Sequence, residues 1–113
     1  MKVEVLYEDN HIIAVNKPSG ALAQGDKTGD LPLVEYVKLY IKKKYDKPGA
    51  VFLGIPHRID RPTSGILMFA RTSKALARLN TMFQEKTIQK TYWAVVKETP
   101  RNTTDTLVHY LFW

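Results

Sequence analysis

Cysteine is absent from these 113 residues, so no disulfide, thiolate metal site or thiol nucleophile is available. No apolar run approaches the roughly 20 residues that span a bilayer, and the Met1 end carries no apolar signal segment. These two absences set the expectation of a soluble, cytoplasmic protein with no membrane partner. Acidic side chains are the scarcer charge, 11 Asp and Glu against 17 Lys and Arg, for a formal net charge of +6. Such an excess favours a polyanionic partner such as nucleic acid. Internal repeats and low-complexity tracts are missing too. What remains is ordinary globular usage, 44% hydrophobic and 25% charged, enough for one modest core.

The hydrophobic pattern divides the chain into short elements. Val3 to Glu8 and Ile12 to Asn16 predict two strands around the turn residues Asp9 and Asn10. Lys17-Pro18-Ser19-Gly20 then breaks the pattern, and Gln24 to Asp30 reads as an exposed loop. Leu33, Val37, Tyr40 and Ile41 recur at helical spacing, predicting a helix that ends before Pro48-Gly49. Val51 to Ile55 is a short apolar run that Pro56 terminates. Ile66 to Ala70 has the uninterrupted apolar character of a buried strand. Thr72 or Ser73 caps a second helix with Leu76, Leu79, Met82 and Phe83 as its apolar stripe. Gln89 to Lys97 and Asp105 to Trp113 are rich in aromatic and β-branched residues and predict two further strands. The fold class is α+β, a mixed, largely antiparallel sheet flanked by two helices.

The last segment is apolar on both faces, with Leu107, Leu111 and Trp113 alternating against Val108, Tyr110 and Phe112. A strand of that kind belongs inside a covered sheet. The expectation is therefore that residues 1–113 form the N-terminal portion of a single domain, whose sheet is completed by a further segment or a second chain.

Chemistry concentrates in Pro56-His57-Arg58-Ile59-Asp60-Arg61-Pro62-Thr63-Ser64-Gly65, a polar loop between two apolar runs. Asp60 stands between Arg58 and Arg61, whose fixed charges favour an ionised carboxylate able to act as nucleophile or general base. The guanidinium groups suit a phosphate backbone. The same residue types also serve a purely structural loop held by an Arg–Asp pair. A kinase catalytic loop is excluded, because Ile59 separates Arg58 from Asp60 and no Gly-rich loop is present. His11, His57 and His109 share no metal-ligand spacing, so no metal is expected, and His57 on its own reads as a hydrogen-bonded structural histidine. No nucleophile elbow surrounds Ser64, which removes a Ser64–His57–Asp60 triad.

The stretch His57 to Leu67 resembles the signature of the RluA-type RNA pseudouridine synthases, His-Arg-Leu-Asp-Arg-x-Thr-Ser-Gly followed by an apolar strand, with Ile59 in place of Leu. Ile12 to Gly20 resembles that family's strand ending in Asn-Lys-Pro-x-Gly, and Lys90 to Val96 its Lys-x-Tyr-x-Ala-x-Val strand. The resemblance runs from about Val5 to Val96. It implies an isomerase that converts a uridine of rRNA or tRNA to pseudouridine after base flipping, with RNA as partner and no cofactor. It further implies Asp60 as the catalytic aspartate, Arg58 as an RNA contact that takes the place of the flipped nucleotide, and Tyr92 as the platform for the uracil. Arg61, His57 and Lys90 fall in the same motifs as supporting RNA- or substrate-binding residues, and Lys17, Pro18 and Gly20 shape a loop beside the site. The family's later Gly-Arg-x-His-Gln-Ile-Arg motif and the RNA-binding module that some members carry have no counterpart here. The alternative is a non-catalytic RNA-binding protein or inactive fragment using the basic face of Lys38 and Lys42 with Lys43, Lys44 and Lys47.

Overall fold

Strand β1 (Glu4–Glu8) turns back into β2 (Ile12–Lys17) because Asp9 organises the corner. The Asp9 carboxylate accepts the backbone N–H groups of His11 and Ile12 at 2.7 and 2.8 Å, an Asx-type turn. Helix α1 (Leu33–Lys44), strand β3 (Gly65–Ala70) and helix α2 (Ser73–Gln84) follow. The computed structural model describes residues 1–110. The sheet has the order β1-β2-β3 with both pairings antiparallel, and a bulge interrupts β1 between Val5 and Tyr7. Register between β2 and β3 sets Ile12 opposite Ala70 and Lys17 opposite Gly65.

Strand alternation gives the sheet two covered faces. Ile13 and Val15 of β2 and Leu67 and Phe69 of β3 pack with Leu33, Val37 and Ile41 of α1 in one cluster. Ile12, Met68 and Ala70 face the other way, against Ala75, Leu76 and Leu79 of α2. α2 begins where the sequence places it: Thr72 is the N-cap, its hydroxyl accepting the Ala75 N–H at 3.0 Å. α1 has Pro32 at its N-cap with no side-chain cap bond, and Lys42, Lys43 and Lys44 in its last turn suit the negative end of the dipole.

Val51 to Ile55 forms no strand, but Gly54 bridges Ala70 through two backbone bonds, Gly54 N–H to Ala70 O at 2.8 Å and the reverse at 2.9 Å. A Cβ at Gly54 would sit 2.7 Å from Leu76 Cδ2, so Leu76 occupies the space that a side chain at this position would need.

Two predicted strands are corrected. Residues 89–97 carry no strand, and neither do residues 105–110; Leu111 to Trp113 of the second predicted strand lie outside the described residues. Apolar alternation states only what a strand would bury, and here no sheet edge comes alongside. Trp93 and Val95 are fully exposed, with Tyr92, Val96, Leu107, Val108 and Tyr110 also open to solvent. The Cα radius of gyration, 16.4 Å, exceeds the roughly 13 Å of a compact domain this size for the same reason.

Candidate active site

The cleft that holds Asp60 is built where two loops leave neighbouring strands at the same end of the sheet. Because Lys17 ends β2 opposite Gly65 at the start of β3, the Lys17–Gly20 turn and the Asp60–Ser64 turn are side by side. Several bonds stitch them. The Gly20 N–H donates to the Arg61 carbonyl at 2.8 Å, and Arg61 Nε returns a bond to the Gly20 carbonyl at 2.8 Å. Ser19 Oγ donates to the Pro62 carbonyl at 2.7 Å. Gly20 has φ +91°, a conformation that L side chains rarely adopt.

Lys17 lies at the centre of this junction and is fully buried. Its ammonium donates to the carbonyls of Ala21 at 2.6 Å, Arg61 at 2.9 Å and Pro18 at 3.2 Å. Burial pulls its pKa below the ordinary lysine value, the positive Arg61 adds to that, and Asp60 opposes it. Lys17 is thus a crosslink between the two loops, a stronger role than the loop shaping the sequence suggests.

Ile59 explains the directions taken by its neighbours. Its side chain is buried in the core cluster with Leu33 and Phe69, while Arg58 and Asp60 on either side are exposed. Together with Arg61 they line one wall of an open cleft of about 480 Å³; the opposite wall is Leu22, Ala23, Gln24, Gly25 and Asp26. That second wall is anchored by buried Ala21 and Ala23 and by the Leu33 N–H bond to the Leu22 carbonyl at 2.6 Å.

Arg61 does not pair with Asp60. Its Nη2 reaches Asp30 Oδ2 at 2.6 Å, closing the far end of the Gln24–Asp30 loop. Among the described residues the Asp60 carboxylate has no hydrogen-bond or ion-pair partner. Among the cleft residues that sequence reasoning missed, Gln24 and Asp26 are the polar side chains. Asp26 accepts the backbone N–H of Thr28 at 2.8 Å and its hydroxyl at 2.5 Å. The hydroxyl bond first and the backbone bond second lower its pKa, keeping a second negative charge at the cleft.

His57, Lys90 and Tyr92 lie elsewhere. The His57 ring stacks on Phe83 of α2, centroids 4.6 Å apart, and its Nε2 accepts the Met68 N–H at 2.9 Å. Lys90 Nζ sits 5.9 Å from the Phe83 ring centroid, and Tyr92 follows in the exposed segment. None of the three lines the cleft. Of the basic helix face, Lys44 is bonded to Glu8 and Lys38 to Glu35, which leaves Lys42, Lys43 and Lys47 as its exposed remainder. Among the described residues no group of three His, Cys, Asp or Glu is placed to hold a metal ion.

Ribosomal large subunit pseudouridine synthase C of Vibrio vulnificus is 41% identical over 92 residues, 81% of this chain and 27% of that protein. The Escherichia coli protein of the same name is 39% identical over 93 residues, 82% of this chain and 27% of that protein. The chain therefore spans about a quarter of the length of these relatives. Human RNA pseudouridylate synthase domain containing 4 superposes with a TM-score of 0.63 at 20% identity, over 74% of this chain and 30% of the human one, a likeness of fold. A family model described as RNA pseudouridylate synthase matches residues 11–112, and the chain belongs to that family.

Proposed function

We propose that residues 1–113 supply the N-terminal part of the catalytic domain of an RNA pseudouridine synthase, with Asp60 as the reacting carboxylate. The observation that carries this reading is the Asp60 side chain, held at an open cleft by buried Ile59 and without an internal partner among the described residues. A structural aspartate in a charged loop pairs with its neighbour; here Arg61 is taken by Asp30 and Asp60 is left for substrate.

The reaction breaks the N1–C1′ bond of a uridine, turns the uracil and rejoins C1′ to C5. C5 loses a proton and N1 gains one, so the change is an isomerisation with no redox step. A carboxylate at the sugar can stabilise or capture the electron-poor C1′, or accept the C5 proton. The target must leave its stack to reach Asp60, and exposed Arg58, two positions away at the same cleft, fills the gap it leaves. In the complete protein Tyr92 stacks on the uracil, which requires the segment after α2 to fold back over the cleft. The relatives' names favour ribosomal large subunit RNA as substrate.

The test is Asp60→Asn in the full protein, assayed by tritium release from C5-labelled rRNA. Turnover falls at least about 10³-fold while RNA affinity stays within about twofold, since shape is kept and only the reactive charge is lost. Near-normal turnover refutes the assignment.

A further inference from the structure

We propose that His57 is a positioning residue, whose neutral imidazole fastens the Arg58–Asp60 loop to the open edge of β3 and to α2, so that protonation of one ring loosens the cleft wall. The inference rests on the reading of Asp60 above. It begins at the outer edge of β3, which no strand covers among the described residues. Along that edge, Gly54 pairs with Ala70 through backbone bonds in both directions. Two residues nearer the start of β3, the next outward-pointing N–H is that of Met68. A continuing strand would offer it a carbonyl; here it donates to His57 Nε2 at 2.9 Å.

An Nε2 that accepts holds no proton, so the neutral ring carries its hydrogen on Nδ1. The other face of the contact is Phe83 of α2, stacked on the ring with an interplanar angle of 20°. The chain is thus pinned at Gly54, at His57 and at buried Ile59 before it reaches Asp60.

An imidazolium cannot accept from Met68, and the surroundings resist forming one. Burial lowers the His57 pKa below its ordinary 6.5, and the positive charge of Lys90, whose Nζ lies 5.9 Å from the Phe83 ring centroid, adds to that. Met68 of β3 and Phe83 of α2 present no charge to it. Because the folded pKa is the depressed one, the tether is whole above pH 6.5 and is lost as pH falls through the lowered value.

The experiment is a pH titration of the labelled 113-residue chain by NMR, from pH 7.5 to 4.5, with His57→Gln and His57→Phe. Gln offers an acceptor near the place of Nε2 that does not titrate; Phe keeps the stack and removes the acceptor. In the unmodified chain His57 Nε2 is the unprotonated nitrogen at pH 7.5, and the amides of Met68, Arg58 and Asp60 shift with the His57 midpoint. In His57→Gln those amides no longer shift at that midpoint. In His57→Phe the Met68 amide exchanges about tenfold faster at pH 7.5. A proton on Nε2, or Arg58 and Asp60 amides that ignore the His57 midpoint, overturns the proposal, and this readout stands even if a variant fails to fold. An active Asp60→Asn enzyme would refute the functional reading and leave the tether standing.

Discussion

Lys17 Nζ donates to the carbonyl oxygen of Arg61 at 2.9 Å across 44 positions of sequence, joining the two motifs at their backbones. The Arg61 carbonyl also accepts the Gly20 N–H, so one oxygen registers both loops. Nothing anionic neutralises the ammonium by direct contact among the described residues; three carbonyl dipoles take that role. The arrangement places Asp60 beside the Gln24–Asp26 wall without spending its carboxylate.

Lys17→Met keeps the stem of the side chain and removes its three donors. Leaving carbonyls unpaired costs on the order of 1 to 3 kcal/mol each, and relief of the buried charge offsets part of it. The expected net loss is about 2 kcal/mol, read by urea unfolding, with any turnover of the full protein falling as the loops part. Unchanged stability would mean that the carbonyls find water and that Lys17 is no crosslink.

Gly54→Ala forces a methyl group to 2.7 Å from Leu76 Cδ2. The backbone here lies under a packed helix, so α2 must shift or Leu76 leave its rotamer, at a cost of about 1 to 3 kcal/mol. Leu76→Ala in the same chain makes room, and the double variant should be more stable than the two single losses added together. Additive losses in thermal unfolding would place the strain elsewhere.

Asp9 shapes the first hairpin and tests the acid limb of stability. The N–H groups of Ile12 and His11, then the Tyr7 hydroxyl, hold its pKa down at about 2. The folded value lies below the usual 3.8, so its contribution is complete above that pH and disappears as pH falls toward 2. Asp9→Asn removes that dependence: its stability should vary less between pH 4 and pH 2 than that of the unmodified chain. Parallel acid-unfolding curves would show that Asp9 is free in solution.

Legibility of the fold follows from what each signal measures. Both helices and the first three strands were readable because their apolar periodicity meets a partner inside the chain, as Val37 and Ile41 meet Phe69. The charged loop around Asp60 and Arg58 suits a structural Arg–Asp pair equally well by residue type; the signature motif singled the two out, and both line the cleft. Lys17 was readable as a turn residue only, since its burial depends on a carbonyl 44 positions away. Gln24 and Asp26 sit in a loop whose composition says exposed and nothing more. The motif groups His57 with the site, while the residue on its own reads as a hydrogen-bonded structural histidine, and its ring is turned to β3 and α2 in that way.

The segment after α2 is where pattern and structure part, and hydrogen exchange decides between them. Lys90 to Val96 has the aromatic and β-branched content of a strand, yet Trp93 and Val95 are fully exposed and no backbone bond holds this stretch among the described residues. In the 113-residue chain the amides of Tyr92 to Val96 should exchange at nearly unstructured rates, while those of Ile13, Val15 and Leu67 are protected. Trp93→Ser should leave the melting temperature unchanged, because a surface substitution moves stability by about 0.5 kcal/mol or less. In the full protein the same amides should be slowed at least about 10²-fold, as the segment gains a neighbour and brings Tyr92 toward the cleft. Protection already present in the 113-residue chain would mean that this strand needs no further partner; fast exchange in the full protein would remove Tyr92 from the proposed uracil platform.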